Sequence, residues 1–452
     1  MEHLLLLLGT GSSSPETLGE RAYRTATYFL PGEPEAGPVE TPFVGEAILD
    51  LHPGRFDRVH LLGTASAMWD TLYEHTLPPA YTGAQEERWF ALHEAVEGQT
   101  LSEGSELLGW IEKRFSEHVG VETGCHLLPP GSREEEFWEM LDVMSGLNAR
   151  NGRVSLDITH GLRAQPIFLL LSLFYLRSAY EDVSMGSVFY GAYELADSHF
   201  GGQAPVYDLR PMVELMDWIE AARVFDRYGD AAPIADLLRQ APASSGGGAG
   251  GNSHGLDALA GQMEDASRML QVNVISNLRS EMHRLDEALG QASGPPQLDL
   301  MRPRLRDLPR TLASAERDWE ALRQLARRHW EHYQAGLAVM AAWEAVVARM
   351  ARIYQRDDAT EARVHNALGH AVSDYSGKLI EDVYRPGGMA RFPRRADELR
   401  RMRNSIAHVE RGGEVSPQQV YGQFPGLLRF FEEHLGSPSL GELPKHRELQ
   451  FR

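Results

Sequence analysis

Leu156-Asp157-Ile158-Thr159-His160-Gly161-Leu162-Arg163 decides how the first half of this chain reads. Arg153–Ile158 is a short apolar run, and a helical pattern runs from Leu162 to Tyr180, so the octapeptide is a strand-to-helix turn. It gathers Asp, Thr, His and Arg at the carboxyl end of a strand, where open α/β sheets bind their ligands. Arg163, beside the positive end of the following helix, suits a phosphate or a base edge. Asp157 is placed to orient His160 or to accept a ribose hydroxyl. A plainer account uses the same residues: Asp157 and Thr159 cap the helix, and His160 is a polar turn residue.

Outward from this turn the first half alternates two kinds of segment. Leu4–Leu8, Arg58–Leu62, Val119–Leu127, Arg153–Ile158 and Ser184–Tyr190 are short apolar runs bounded by loop residues, as central parallel strands are. Phe43–Leu51, Glu86–Phe115, Arg133–Leu147 and Leu162–Tyr180 read as helices between them. The alternation predicts a Rossmann-like α/β domain with a mostly parallel sheet, its last strand region ending at Tyr190. Two further strand ends carry small polar loops. Leu4–Leu8 runs into Gly9-Thr10-Gly11-Ser12-Ser13-Ser14, and His60-Leu61-Leu62 into Gly63-Thr64-Ala65-Ser66. Glycines let the backbone approach a ligand, and N–H groups with hydroxyls make a concavity for phosphate. Neither loop is a Walker A motif, and the first lacks the third glycine of the dinucleotide fingerprint, which disfavours hydride chemistry. Phe189-Tyr190-Gly191-Ala192-Tyr193-Glu194 offers aromatic surface for stacking a base, or equally for the domain core.

Composition bounds the rest. The 452 residues carry 44 Lys and Arg against 64 Asp and Glu, a net charge of −20, and are 42% apolar. Such a chain is globular, and its average field repels nucleic acid outside local basic patches. A single cysteine, Cys125, read as buried, excludes a disulfide framework and a cysteine-built zinc site and suggests a reducing compartment. Leu4–Leu8 and Pro166–Leu176 are too short to span a bilayer, and neither is an export signal, so no membrane partner is expected and the default location is the cytoplasm.

After about residue 209 the pattern becomes helical: Met212–Tyr228, Leu256–Leu289, Thr311–Tyr354, Ala359–Gly369, Asp397–Val409 and Pro417–Leu435. Residues 241–255 form a Gly/Ser-rich segment read as a flexible loop between helices. The sharpest group here is Arg403-Asn404-Ser405-Ile406-Ala407-His408. Arg403 and His408 lie about 140° apart around a helix at ~100° per residue, so they do not stack, yet both can reach a phosphate beyond it. A permanent forked cation and a side chain titrating near neutrality are the parts needed to cut RNA without a metal. The ribose 2′-OH attacks the adjacent phosphorus, Arg403 stabilises the developing charge, His408 moves a proton and Asn404 orients. From Arg391 to Arg411 seven arginines face three acidic residues, a positive island suited to a phosphodiester; a solvated arginine-rich face with a core histidine accounts for it too. Lesser groups are His329 and His332 flanking Trp330-Glu331, with Arg327 and Arg328 beside them, and His365 with His370; no metal-ligand set is complete among them.

Taken in order, LLLLLGTGSS, LLGTASAMW, LDITHGLR and VFYGAYE over residues 3–209 resemble the CARF (CRISPR-associated Rossmann fold) sensor of type III CRISPR ancillary proteins, and R-N-x-x-x-H in a helical domain resembles the HEPN ribonuclease motif. The paired resemblance implies a CARF sensor over residues 1–209 and an all-α HEPN ribonuclease domain over 210–452. It implies a homodimer that binds one cyclic oligoadenylate across its two-fold axis, four adenylates being the commoner ring in similar proteins, and that cuts single-stranded RNA with no cofactor. Gly9, Thr10, Gly11, Ser12, Thr64, Thr159, His160, Gly161 and Arg163 match the binding loops; Arg403, Asn404 and His408 match the catalytic motif. The rival is a ligand-sensing regulator or RNA-binding protein whose HEPN domain is not catalytic; RNA binding alone needs the cation but not the titratable group.

Overall fold

A computed structural model describes residues 1–13, 21–22, 24–33, 35, 37–79, 81–147, 152–241, 251–271, 277–353, 392–407 and 415–442. The chain divides into two compact units, Met1–Glu214 and Leu215–Arg452.

Among the described residues the first unit holds an eight-stranded sheet. Its strands are β1 (Glu2–Leu8), β4 (Ala26–Phe29), β5 (Val39–Thr41), β6 (Arg58–Gly63), β7 (Glu122–Leu127), β8 (Gly152–Asp157), β9 (Val183–Gly191) and β10 (Gln203–Asp208), with a separate ribbon of β2 (Ser12–Ser13) and β3 (Arg21–Ala22). The order across the sheet is β5-β4-β10-β9-β8-β1-β6-β7. The stretch from β9 to β7 is parallel, whereas β10 runs antiparallel to β9 and β5 antiparallel to β4. Leu4 to Leu8 on β1 are all buried, because both faces of this central strand are covered. At about 2 kcal/mol per buried leucine, that run anchors the sheet.

Helices α1 (Val44–Leu51), α2 (Trp69–His75), α3 (Ala84–Glu97), α4 (Glu106–Val119), α5 (Glu134–Gly146), α6 (Ala164–Ala179) and α7 (Ala196–His199) supply the rest. Leu4, Leu6, Leu8, Val59, Leu61 and Cys125 pack with Val44, Ile48, Trp69, Leu72, Leu92, Ile111 and Phe115 in one core. On the alternate strand positions lies a run of imidazoles across β1, β6 and β7. His3 Nδ1 is 3.1 Å from His60 Nε2, and His60 Nδ1 is 3.2 Å from His126 Nε2. His126 Nδ1 in turn lies 3.5 Å from Glu103 Oε1. Burial, followed by the charges His126, His3 and Arg58 would bring to bear, pushes His60 down to about 3, and burial likewise lowers His3 and His126, so the run favours neutral imidazoles.

Four expectations are corrected here. Strand structure continues past Tyr190 into β10, whose polar Gln203 and half-exposed Tyr207 hide an edge-like strand. The Glu86–Phe115 helix is two, broken after Glu97 around Gly98 and Gly104, the latter at φ 68°. The helix expected over Leu256–Leu289 is likewise two, Gly251–Gln271 and Leu278–Gln291, and the Gly/Ser segment therefore gives way to helix at Gly251. The Thr311–Tyr354 run holds Asp318–Glu331 and Ala335–Ile353, separated by a turn in which Tyr333 takes φ 60°.

The second unit is helical among its described residues. Its core joins Ile234 and Leu238, Leu259 and Met263, Met282 and Leu289, Leu305 and Leu312, Leu322 and Leu325, Val339 and Val346, Leu399 and Met402, and Phe424 and Phe431. Pro296–Ala313 is helical despite Pro303 and Pro309, each of which removes a backbone bond, because Leu298, Leu305, Leu308 and Leu312 hold one buried stripe. The helix read over Ala359–Gly369, with His365, lies outside the described residues, as does His370. No helix among the described residues is long and apolar enough to cross a membrane.

Candidate functional site

β6 and β7 lie on one side of β1 and β8 and β9 on the other, so the strand order reverses between β1 and β8. In open α/β sheets the crevice outside the carboxyl ends of two such strands is the ligand site. A cavity of about 460 Å³ opens there, lined by Gly9, Thr10, Gly11, Arg24, Tyr28, Pro42, Thr159, His160, Gly161 and Tyr193. Six of the nine residues expected to bind the activator therefore meet in one wall. Ser12 begins the β2 ribbon, and Thr64 and Arg163 are not among the lining residues. Thr64 is buried instead, its hydroxyl 3.1 Å from Ser66 Oγ and its carbonyl accepting from Trp69 Nε1 at 2.8 Å. Arg163 is exposed in the position before the first turn of α6.

The turn after β8 is built from inside. Asp157 is fully buried and its Oδ1 accepts from the Thr159 N–H at 3.0 Å and the Thr159 hydroxyl at 2.5 Å, a local turn mimic. Thr159 Oγ1 accepts in turn from the Gly191 N–H at 2.8 Å, which ties the loop to β9. Burial raises the Asp157 carboxyl to about 7, against the pull of the Thr159 hydrogen bonds, and its Oδ2 has no partner. Asp157 thus neither caps α6 nor reaches the cavity wall: it shapes the loop. Gln165, nearly wholly buried, holds the next step, its Oε1 accepting from Leu162 N at 3.0 Å and its Nε2 donating to Pro129 O at 3.1 Å. Gly161 at φ 94° and Gly11 at φ 72° take backbone that other residues avoid, and a Cβ on Gly11 would run into the sulfur of Met68.

The electrostatics favour a ligand that combines phosphate with aromatic rings. Burial brings His160 down to about 4, so its ring is neutral at pH 7. Burial, with the nearby Asp157 and Tyr193 adding to it, pushes Tyr28 up to about 12, so its hydroxyl stays protonated. Arg24, exposed on β4's approach, supplies a cation, and half-exposed Tyr193 supplies an aromatic face. Arg24, Tyr28 and Pro42 escaped the sequence reading because β4 and β5 are short strands, β4 held to the sheet by pairing with β10 and β5 by pairing with β4. Their signal is slight: only Ala26 and Tyr28 are buried on β4.

In the second unit Phe392–Ala407 is one helix, and Phe392, Ala396, Leu399 and Met402 form its buried stripe. That stripe leaves Arg403 and Asn404 at the margin of the core, with Arg403 Nη1 donating to Asn404 Oδ1 at 3.2 Å. Arg403 Nε is buried with no partner, and no carboxylate pairs with this guanidinium among the described residues. His408 lies outside the described residues. The positive island is smaller than the composition suggests. Arg400 and Arg401 both pair with Asp397, at 2.8 and 3.0 Å, and Arg395 pairs with Glu398 at 2.7 Å. Other candidates resolve as structure: His329 is buried with Nδ1 2.5 Å from Gln334 Oε1, Arg327 pairs with Glu432, and Cys125 is buried.

Residues 214–314 match the family model described as CRISPR-associated protein MJ1674, second domain. The CRISPR-associated protein MJ1674 of Methanocaldococcus jannaschii is 22% identical over 449 residues, covering 94% of this chain and 65% of that protein. The chain thus spans about two thirds of the length of that curated relative. Among solved structures, Enterococcus italicus Csm6 bound to cyclic hexa-2′-fluoro-hexa-dAMP aligns over 100% of this chain and 96% of its own, at 11% identity and a TM-score of 0.39. The CRISPR-associated resemblance carried by the motifs is borne out by the sequence matches.

Proposed function

With kinship to a CRISPR-associated protein as premise, we propose that this chain is a cyclic-oligoadenylate-activated endoribonuclease of type III CRISPR defence, a CARF sensor in the first unit joined to a HEPN nuclease in the second. The observation that carries the reading is the cavity at the switch point, where the Gly9–Gly11 and Thr159–Gly161 loops converge. Backbone N–H groups, the Tyr28 hydroxyl and Arg24 suit phosphate oxygens, and Tyr193 suits an adenine face. A cavity of about 460 Å³ is in the range that holds one drug-sized ligand, well short of a ring of four nucleotides. Two cavities facing each other across a two-fold axis accommodate such a ring. The exposed stripe of Ile167, Leu171 and Tyr175 along α6, each more than half exposed, supports a second copy of the chain there.

In the second unit, an Arg403 guanidinium that no carboxylate pairs with among the described residues supports the cutting role. The substrate's 2′-OH attacks the adjacent phosphorus, Arg403 stabilises the charge on the phosphoryl oxygens, and His408 transfers the proton, with Asn404 holding the guanidinium. The products are a 2′,3′-cyclic phosphate and a 5′-hydroxyl, and no metal takes part. Binding in the sensor shifts the population toward the cutting state.

The test is cleavage of a fluorescent single-stranded RNA in EDTA, with and without cyclic tetra-adenylate and then the hexa-adenylate. Activator-dependent cutting that His408→Ala abolishes, with ligand binding kept, is the expected result. Wild-type cutting by that variant overturns the catalytic assignment. Ligand binding without any cutting points to the regulator instead.

A further inference from the structure

Outside both candidate sites, the ends of three helices of the first unit bring two imidazoles onto one carboxylate. Glu46 lies on α1, His75 in the last turn of α2 and His118 in the last turn of α4. Glu46 Oε2 is 2.9 Å from His75 Nε2, and Glu46 Oε1 is 2.6 Å from His118 Nε2. The three donor atoms lie within 4.8 Å of one another. The imidazole rings meet edge to face with centroids 5.6 Å apart, and each turns its Nε2 to the Glu46 carboxylate. The group is also oriented from behind. The Thr41 hydroxyl donates to Glu46 Oε2 and accepts from the Phe43 N–H at 3.2 Å, and the Phe43 ring lies 5.1 Å from that of His75. Asp50, exposed one turn further along α1, adds a second carboxylate close by.

An ordinary ion pair needs one imidazole. Two Nε2 atoms and a carboxylate converging from three separate helices form the donor set of a zinc-class ion, whereas Mg²⁺ and Ca²⁺ take oxygen-only ligands. We propose that Glu46, His75 and His118 bind a Zn²⁺ ion, with water in the fourth position. The ion fastens α1, α2 and α4 to one another, and its binding energy adds to the stability of the first unit. It takes no part in RNA cutting, whose residues lie in the other unit.

The full-length, tag-free chain, stripped with chelator, is titrated with Zn²⁺ alone, dialysed and assayed by mass spectrometry for metal content. One retained zinc per chain and a raised unfolding temperature are expected. His118 is exposed and lies in the last turn of α4, so His118→Ala is the variant that keeps the fold, as far-ultraviolet circular dichroism checks. It is expected to lose zinc affinity by about tenfold or more. Co²⁺ in place of Zn²⁺ gives the visible bands of a tetrahedral site in wild type and not in His118→Ala. No zinc retained after dialysis, or equal zinc content and equal Co²⁺ spectra in the two proteins, overturns the proposal.

Discussion

Asp157→Asn isolates the cost of burying an ionisable group beneath the candidate sensor loop. Burial raises this carboxyl from its ordinary 3.8 to about 7. A raised carboxyl pKa means that the folded state prefers the protonated form. Stability is therefore fullest below about pH 4, falls as pH rises toward 7, and is flat above that. At about 1.4 kcal/mol per unit, wild type loses about 3 kcal/mol between about pH 5 and pH 8 that an amide does not lose. The asparagine keeps Oδ1 for Thr159 and leaves Nδ2 unpartnered where Oδ2 already was, a cost of about 1–3 kcal/mol that does not vary with pH. The two proteins are then near parity at pH 5, and the variant leads by pH 8. Urea midpoints read by hydrogen exchange on peptides from β1 and β8 report the first unit alone. A wild-type-minus-variant difference that stays constant across this range refutes the argument.

Three further outcomes follow from the same geometry. Gly11→Ala places a Cβ against Met68 at a left-handed backbone position, so it lowers stability by about 1–3 kcal/mol and weakens activator binding; calorimetry of the ligand and a thermal melt check both. Arg24→Ala removes the cavity's exposed cation, and the activator concentration for half-maximal cutting rises about tenfold or more, without change in the cutting rate at saturation. Arg403→Lys keeps the charge but loses the forked donors, and single-turnover cutting falls about 10²-fold while ligand binding holds.

The central sheet was legible because its strands are buried on both faces and so appear as unbroken apolar runs such as Leu4–Leu8. β4, β5 and β10 were not, being short or half-exposed, and α2 was lost beside the loop that opens it. Two strand-end loops, Gly9–Gly11 and Thr159–Gly161, were legible because glycine and hydroxyl residues directly after apolar runs suit a ligand at that end of a parallel sheet, whereas the similar Gly63–Ser66 loop spends its polar groups on internal hydrogen bonds. Arg24 and Tyr28 reach the same cavity only through sheet pairing, which leaves no local trace. Glu46 lies 29 positions from His75 and 72 from His118, a juxtaposition that only the fold creates.

The buried imidazole run has one consequence for where its protons sit. Each neutral imidazole owns a single N–H, so a chain of three can point its donors only one way at a time. Glu103, held through its other oxygen by the Leu127 N–H at 2.7 Å, can only accept when ionised and so claims the proton on His126 Nδ1. His126 Nε2 must then accept from His60 Nδ1, and His60 Nε2 from His3 Nδ1. The run ends at His3 Nε2, which is buried without a partner as a bare lone pair, while every N–H in the run is satisfied. One surface carboxylate thereby fixes the tautomers of three side chains across three strands, and the first unit carries a hydrogen-bond wire with a defined polarity.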